Sequence, residues 1–176
     1  MSNLTSRIVS FYLGKNTDDK GRMIDDILSW DDQELELVHD YIQWLFPLRE
    51  RSAYNATAPL LDEVCVQAFR SNEKLRARLR NSFSVLLKFY GFTRKEESGQ
   101  VVVSRTDAFL RKAENWLTPR NHNFLRITRI LKCLTTLGLP QDAATFEKAL
   151  EEVYGEYGAI IGKETLGYWR EAVFSS

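Results

Sequence analysis

Histidine and cysteine, the side chains that most often bind zinc or pair as nucleophile and base, are scarce in this sequence. Two of each occur among 176 residues. Cys65 and Cys133 form neither a CxxC motif nor a disulfide framework, and the histidines add too few closely spaced ligands for a Cys/His zinc site. We therefore expect no metal centre and no cofactor, and we expect both cysteines to be reduced and structural.

Long hydrophobic runs are also missing. The longest stretch without a charged residue covers residues 52–61, whereas a membrane-spanning helix needs roughly 20 apolar residues. Residues 1–15 contain one early arginine and no continuous apolar segment of the kind that secretory signals use. From these absences we predict a cytoplasmic protein with no membrane span.

Catalytic motifs are absent as well, since the sequence contains no GxSxG, HExxH or Walker motif. Cys133 and His122 lie on one predicted helix and are separated by about 16 Å along its axis, too far for a nucleophile and its base. His39 could approach a cysteine only through tertiary folding. We expect a protein that is not an enzyme.

Three pairs of adjacent aspartates are interpreted as helix caps or solvated charges: Asp18 and Asp19, Asp25 and Asp26, Asp31 and Asp32.

Apolar residues at helical spacing, by contrast, occur along most of the chain. Hydrophobic residues make up 44% and charged residues 27%, as in ordinary soluble domains, so residues 1–176 are predicted to form a single domain. Its fold class is predicted to be all-α, with about seven or eight helices. The most strongly patterned segments are residues 31–46, which open on a capping box of Asp31 and Glu34, and residues 121–137. We expect these two helices at the centre of the domain.

Weaker or shorter helical patterns fill most of the remaining sequence. Residues 95–104 are the least helical part, because Ser98 and Gly99 interrupt the pattern and the three valines that follow favour extended backbone. We interpret this segment as a loop with a candidate short strand. The other predicted helices cover residues 4–13, 21–29, 61–69, 72–90, 105–116, 141–154 and 163–174, of which the first two are weak.

The charges balance overall but are spread unevenly. Residues 1–69 carry a net charge of −6, residues 70–139 carry +10 and residues 140–176 carry −4. One interpretation is a cationic face for nucleic acid or phosphate. The alternative is that acidic and basic helices pack side by side and their charges pair. The residues of the candidate basic face are Arg76, Arg80 and Lys132.

The sharpest candidate site lies on the predicted helix over residues 121–137. At about 100° per residue, its basic side chains lie opposite the apolar side that contains Phe124. Two guanidiniums one turn apart can hold a carboxylate or phosphate, and the helix N-terminus adds a favourable dipole. His122, Arg126 and Arg129 are therefore a candidate binding site for an anion or acidic group. The alternative is that the arginines form salt bridges to acidic helices.

Two stretches of the sequence resemble the conserved region of the opioid growth factor receptor family: YIQWLFPL at residues 41–48 and NHNFLRITRILKCLTTLGL at residues 121–139. LLKFYGF at residues 86–92 is similar to that family's helix-ending segment. Because the vertebrate receptor of this family binds an opioid pentapeptide, the resemblance implies a binding module for a peptide or a partner protein. It also implies association with membranes, and it supplies no catalytic or ligand-binding residues.

Two functional hypotheses follow from the sequence. The leading one is a non-enzymatic binding module with receptor activity, which rests on the resemblance and on the missing catalytic motifs. The alternative is a helical protein that binds nucleic acid or phosphate through residues 70–139, whose affinity would then fall steeply with salt.

Overall fold

A computed structural model describes residues 3–174 of the protein, with side chains from Arg7 onward. Helices dominate it, as predicted, but the described residues form ten helices and a small two-stranded antiparallel sheet. The prediction of an all-α fold with seven or eight helices is therefore correct only in its coarser form, that of a mostly helical protein. The chain divides into two compact units, Met1–Phe83 and Ser84–Ser176. The single domain over residues 1–176 stays a prediction.

The first unit has a core of aromatic side chains. The rings of Phe11 and Trp44 meet edge to face with their centroids 5.3 Å apart, and those of Tyr12 and Phe69 do so at 5.1 Å. Trp44 is fully buried, as expected of the strongly apolar segment that contains it. The helices of this unit are α1 (Asn3–Tyr12), α2 (Ile24–Leu28), α3 (Asp32–Leu37), α4 (Ile42–Leu45), α5 (Glu63–Ser71) and the beginning of α6 (Glu73–Tyr90).

The predicted continuous helix over residues 31–46 is wrong, because α3 and α4 are separate. The capping box exists: the Glu34 N–H donates to the Asp31 carboxylate at 2.8 Å, and the Asp31 N–H donates to the Glu34 carboxylate at 3.1 Å. Val38, however, is extended, with φ −88° and ψ 129°. Two residues later, Asp40 accepts a hydrogen bond from Arg22 at 2.8 Å. Tertiary contacts therefore override the helical periodicity of this segment.

The first aspartate pair does not cap a helix as interpreted. Asp18 is buried and accepts a hydrogen bond at 2.7 Å from the Arg22 guanidinium. Asp19 accepts hydrogen bonds at 3.1 Å from the Trp44 indole N–H and from the Thr57 hydroxyl. Asp18 therefore closes a local turn after α1, whereas Asp19 connects this turn to Trp44 and Thr57, which are distant in the sequence.

The second unit places the sheet against its longest helix. Its elements are the end of α6, β1 (Phe92–Glu97), β2 (Gln100–Arg105), α7 (Phe109–Trp116), α8 (Asn123–Thr136), α9 (Pro140–Ile161) and α10 (Lys163–Phe174). β2 packs against α9, and α8 packs against both α9 and α10. The indole N–H of Trp169 donates to the Phe124 carbonyl at 3.2 Å, and that of Trp116 donates to the Tyr90 carbonyl at 3.1 Å. These bonds satisfy polar groups that the core buries.

The hairpin accounts for the extended backbone predicted after Gly99. β1 and β2 pair in antiparallel register around a two-residue turn of Ser98 and Gly99, with φ values of 51° and 76°. Positive φ at both positions identifies a type I′ turn, which suits the twist of a tight hairpin. The sequence did not predict β1, because the charged side chains of FTRKEE gave it no strand-like alternation of apolar and polar residues.

Helix α6 begins and ends where the sequence predicts. The Asn72 side chain accepts a hydrogen bond from the Lys74 N–H at 2.9 Å. Gly91, with φ +90°, follows the last residue of the helix, and a Cβ atom at this position would lie 2.7 Å from the Cα of Phe109. Glycine is therefore required at this junction both for its backbone angle and for its lack of a side chain.

Candidate functional site

An open groove runs between the outer edge of β2 and helix α9. Its volume is about 640 Å³, within the range of ligand-binding clefts in proteins. Most of the lining side chains are short, so the groove has room for the side chains of a ligand. The groove is lined by residues 99–104 on the hairpin and by Gln141, Ala144, Thr145, Lys148, Ala149 and Glu152 on the helix.

The register of the hairpin decides which backbone groups face the groove. Glu97 and Gln100 flank the two-residue turn and form its closing hydrogen-bonded pair. Because hydrogen-bonded and non-hydrogen-bonded pairs alternate along an antiparallel ladder, Val101 and Val103 direct their N–H and C=O groups away from β1. The Val103 N–H indeed donates to the Thr145 hydroxyl on α9 at 3.1 Å.

Two half-buried arginines fix the hairpin to α9. Arg94 donates to Asp142 at 2.5 Å, and the side chains are 14% and 4% exposed. Arg105 donates to Glu156 at 2.7 Å. Since Val103 contacts Thr145 and Arg105 contacts the later residue Glu156, β2 and α9 run in the same direction. The groove is therefore bounded by elements whose relative position is set by ion pairs.

The two charged side chains that line the groove stand one helical turn apart. Lys148 precedes Glu152 on α9, and both are exposed. Within the part of the chain that the structure describes, neither is joined to another residue by an ion pair. The helical wall therefore offers one positive and one negative group to a ligand.

A second titratable cluster on α9 involves Glu147. One of its carboxylate oxygens is buried and accepts no hydrogen bond from the described residues. Burial, followed by the repulsion of the neighbouring Glu151 carboxylate, raises the pKa of Glu147 to about 7, although the positive charge of Arg170 opposes this rise. Arg170 itself donates to Glu151 at 2.6 Å. This carboxyl therefore titrates near neutral pH.

The residues of the predicted anion site occupy different environments on and before α8. His122 is exposed and directly precedes the helix, Arg129 is half-buried and Arg126 is 6% exposed. Cys133, two turns after Arg126 and so on the same side of the helix, is fully buried. The helix is therefore buried on more sides than its periodicity indicated, and the side that carries Arg126, Arg129 and Cys133 is not a continuous exposed surface. The role of the three basic residues in binding an anion stays a prediction.

Arginines of the candidate basic face on α6 form ion pairs with nearby carboxylates. Arg76 and Arg80 both donate to the Glu73 carboxylate, at 2.7 and 2.6 Å, and Arg78 donates to Asp25 at 2.8 Å. Lys132, assigned to the same face, is half-buried on α8. Glu73 belongs to α6 itself, so of these pairs only Arg78–Asp25 joins a basic helix to an acidic one, and the basic face stays a prediction. Nothing in residues 3–174 supports the nucleic-acid alternative.

The ionisation of Cys65 and the placement of the acidic residues bear on whether the described residues could hold a nucleophile or a metal ion. Burial raises the pKa of the Cys65 thiol to about 12, so very little nucleophilic thiolate exists at neutral pH. In the part of the chain that the structure describes, no group of three or more His, Cys, Asp and Glu side chains is placed to hold a metal ion. Over the same residues no helix has both the length and the apolar character needed to cross a bilayer.

The structure thus shows a mostly helical protein with an open groove beside the edge strand β2. Comparison with known proteins then gives its family. The family model described as the opioid growth factor receptor (OGFr) conserved region matches residues 2–173. The chain therefore belongs to this family, as the resemblance of residues 41–48 and 121–139 implied.

Curated relatives share about two thirds of the chain. The opioid growth factor receptor of Rattus norvegicus is 46% identical over 123 residues, which are 68% of this chain and 20% of the relative. The Homo sapiens receptor is 45% identical over the same length, 18% of that protein. Opioid growth factor receptor-like protein 1 of Mus musculus is 35% identical over 127 residues, 67% of this chain and 25% of the relative. The chain thus spans about a fifth of the length of the first two. No solved structure matches it.

Proposed function

We propose that this domain is a non-enzymatic binding module that recognises a short peptide or an exposed segment of a partner protein. The observation that carries the proposal is the open groove between β2 and α9, in which outward-facing backbone groups lie beside short side chains. Peptide-binding domains often combine main-chain hydrogen bonds with shallow pockets of this kind. The names of the relatives, which describe receptors for a growth factor, support the same class of function.

Two further observations support a binding role over a catalytic one. The thiol of Cys65 is buried and poorly ionised, and the groove between β2 and α9 is open to solvent and has no histidine or cysteine in its lining. A catalytic site that activates a nucleophile generally needs a base within hydrogen-bond reach. The groove instead offers the means to hold a ligand.

Titration calorimetry tests the proposal with a panel of free-ended pentapeptides that includes opioid and acidic sequences. The test compares the native chain with Ala144→Trp, which fills the groove, and with Ala159→Trp, which adds the same bulk at an exposed position of α9 outside the groove. We expect binding to the native chain and to the Ala159 variant, and at least tenfold weaker binding to the Ala144 variant. Absence of heat throughout the panel, or equal binding by the two variants, would contradict the proposal.

A further inference from the structure

We infer that the outer edge of β1 binds an extended segment of a partner protein as an added antiparallel strand, with basic residues of the segment opposite Glu96 and Glu97 and an acidic residue opposite Lys95. This edge lies on the other side of the hairpin from the groove between β2 and α9. The inference therefore adds a second binding surface and does not depend on the proposed function of the groove.

The pairing register with β2 leaves the main-chain groups of Arg94 and Glu96 facing outward. Glu97 and Gln100 form the hydrogen-bonded pair next to the turn, and the two kinds of pair alternate along the ladder. Arg94 and Glu96 belong to non-hydrogen-bonded pairs, so each directs its N–H and C=O away from β2. Among the described residues no group bonds these two donors and two acceptors. Such a free row of main-chain groups is the basis of recognition by strand addition.

The outer half of the hairpin is accessible to a partner, because residues 95–100 are all exposed. The two edges of the hairpin differ in their surroundings. Helix α9 bonds the edge of β2 through Val103 and Thr145, whereas β1 packs chiefly against β2 itself. Strand addition is therefore open to the edge of β1 rather than to that of β2.

The charges of β1 argue against a second copy of the chain as the occupant. Two copies of β1 form an antiparallel ladder only in registers that pair outward-facing residues with each other. Every such register that centres on residues 94–97 places one charged residue opposite its own copy. Since like charges directly opposite each other destabilise a sheet, each of these registers contains a repulsive pair. The strand therefore favours a partner of different sequence.

The same charges define the chemistry of that partner. Arg94 donates to Asp142 on α9 at 2.5 Å, so its charge is already compensated. The charges left to select a ligand are those of Lys95, Glu96 and Glu97. Opposite charges at facing positions stabilise a cross-strand pair, and antiparallel ladders are slightly more stable than parallel ones. A complementary strand is thus basic at two successive positions and acidic at the third.

The test uses the acetylated and amidated peptide Lys-Lys-Glu-Val-Thr. In the antiparallel register its two lysines lie opposite Glu97 and Glu96, and its glutamate lies opposite Lys95. Proton–nitrogen NMR spectra recorded during a titration give the affinity and show which amides contact the peptide. We expect the largest shifts at the amides of Arg94 and Glu96. The absence of shifts at millimolar peptide, or shifts centred on the groove, would overturn the inference.

N-methylation of single peptide residues tests the main-chain hydrogen bonds. In the stated register the second and fourth residues direct their N–H groups toward β1, and the third and fifth direct theirs away. We expect N-methylation to weaken binding about three- to tenfold at the second and fourth positions, the range expected for one hydrogen bond. At the third and fifth positions we expect little change. Equal losses at all four positions would contradict strand addition.

A matched pair of protein variants tests the same bonds from the other side. Glu96→Pro and Glu96→Gln both remove the charge, but only proline also removes an outward N–H that takes no part in the ladder with β2. We expect the proline variant to bind about three- to tenfold more weakly than the glutamine variant, and equal binding would count against the inference. Should proline disrupt the hairpin, the N-methyl series decides the question.

An exchange of charges tests the chemistry of the partner. The double variant of Glu96→Lys and Glu97→Lys should prefer Glu-Glu-Glu-Val-Thr to Lys-Lys-Glu-Val-Thr, whereas the native chain should have the opposite preference. The reversed peptide Thr-Val-Glu-Lys-Lys should bind the native chain at least about twofold more weakly, because its lysines no longer face the two glutamates. An unchanged preference in the double variant would overturn the charge pattern, and tighter binding of the reversed peptide would overturn the direction.

Sedimentation of the native chain and of Glu96→Pro tests the other occupant. We expect both to be monomeric at the concentrations of the titration. A dimer of the native chain that the proline variant abolishes would assign the edge to a second copy and overturn the choice of partner. Because residues 94–97 are not among the residues that line the groove, failure of these tests leaves the proposed function to its own calorimetric test.

Discussion

The replacement of Glu147 by glutamine should stabilise the protein, and only at neutral and alkaline pH. The Glu147 carboxyl has a buried oxygen without a hydrogen-bond partner among the described residues, and it stands beside the carboxylate of Glu151. Glutamine keeps the size and shape of the side chain but has no charge. The variant therefore removes the ionisation of this group and leaves its packing in place.

The sign and the pH range follow from the pKa. Burial and the neighbouring carboxylate raise the pKa of Glu147 from 4.5 in its ordinary state to about 7 in the folded protein. Between these two values the unfolded chain is ionised while the folded chain holds its proton, so the free energy of unfolding falls as the pH rises from about 4.5 to about 7. Because the side chain is partly exposed to screening by water, we expect a loss of about 1–2 kcal/mol rather than the full value of the shift.

Urea denaturation at pH 4.5, 6, 7 and 8 measures this effect. Glu147→Gln should match the native chain at pH 4.5 and exceed its free energy of unfolding by about 1–2 kcal/mol at pH 8. Glu152→Gln is the control, since it makes the same chemical change at an exposed position of the same helix and should change stability by less than about 0.5 kcal/mol. A difference between Glu147→Gln and the native chain that does not vary with pH would refute the reasoning.

Three other substitutions or reactions probe the packing. Trp44→Ala should cost about 3–5 kcal/mol of unfolding free energy, because the indole is fully buried and donates to Asp19; a loss below about 1 kcal/mol in urea denaturation would show that the core relaxes around it. Gly91→Ala should be more destabilising than Gly99→Ala, since both glycines have positive φ but only Gly91 lies against Phe109; equal losses would count against the steric cause. Cys65 should resist a thiol reagent at pH 8 in the native chain and react once urea unfolds it, because burial raises the pKa of its thiol to about 12; rapid labelling of the native protein would contradict this.

The sequence predicted best those helices whose limits are set locally. The helix α6 has an apolar face and is bounded by Asn72 and Gly91, and both signals work through neighbouring residues alone. The capping box at Asp31 was equally visible, and it forms as predicted. The break at Val38 was not predictable, because it accompanies contacts such as that of Asp40 with Arg22, which only the tertiary fold brings together.

The candidate groove was harder to predict than the fold. Its β2 side was visible as three successive valines after a serine and a glycine, but the orientation of Val101 depends on the pairing register with β1. The helical side carries exposed residues such as Lys148 and Glu152, which in the sequence resemble any solvated helix face. On α8 the opposite error occurred: Arg126 has the polarity of a surface residue but is buried, because a helix can be covered on its polar side by elements whose positions periodicity does not reveal.

The hydrogen bond between the Val103 N–H and the Thr145 hydroxyl also bears on solubility. A valine-rich strand with an unpaired edge can recruit the same strand of another molecule and start aggregation. By bonding Val103 from the side, α9 occupies the middle of that edge and shortens the stretch that could pair with a second chain. Only one donor of this edge, the Val103 N–H, is bonded by α9 in this way, and the main-chain groups of Val101 on the same edge are not. Peptide binding requires this edge of β2 to be open, whereas resistance to aggregation requires it to be covered. The two requirements therefore act in opposite directions on one six-residue strand.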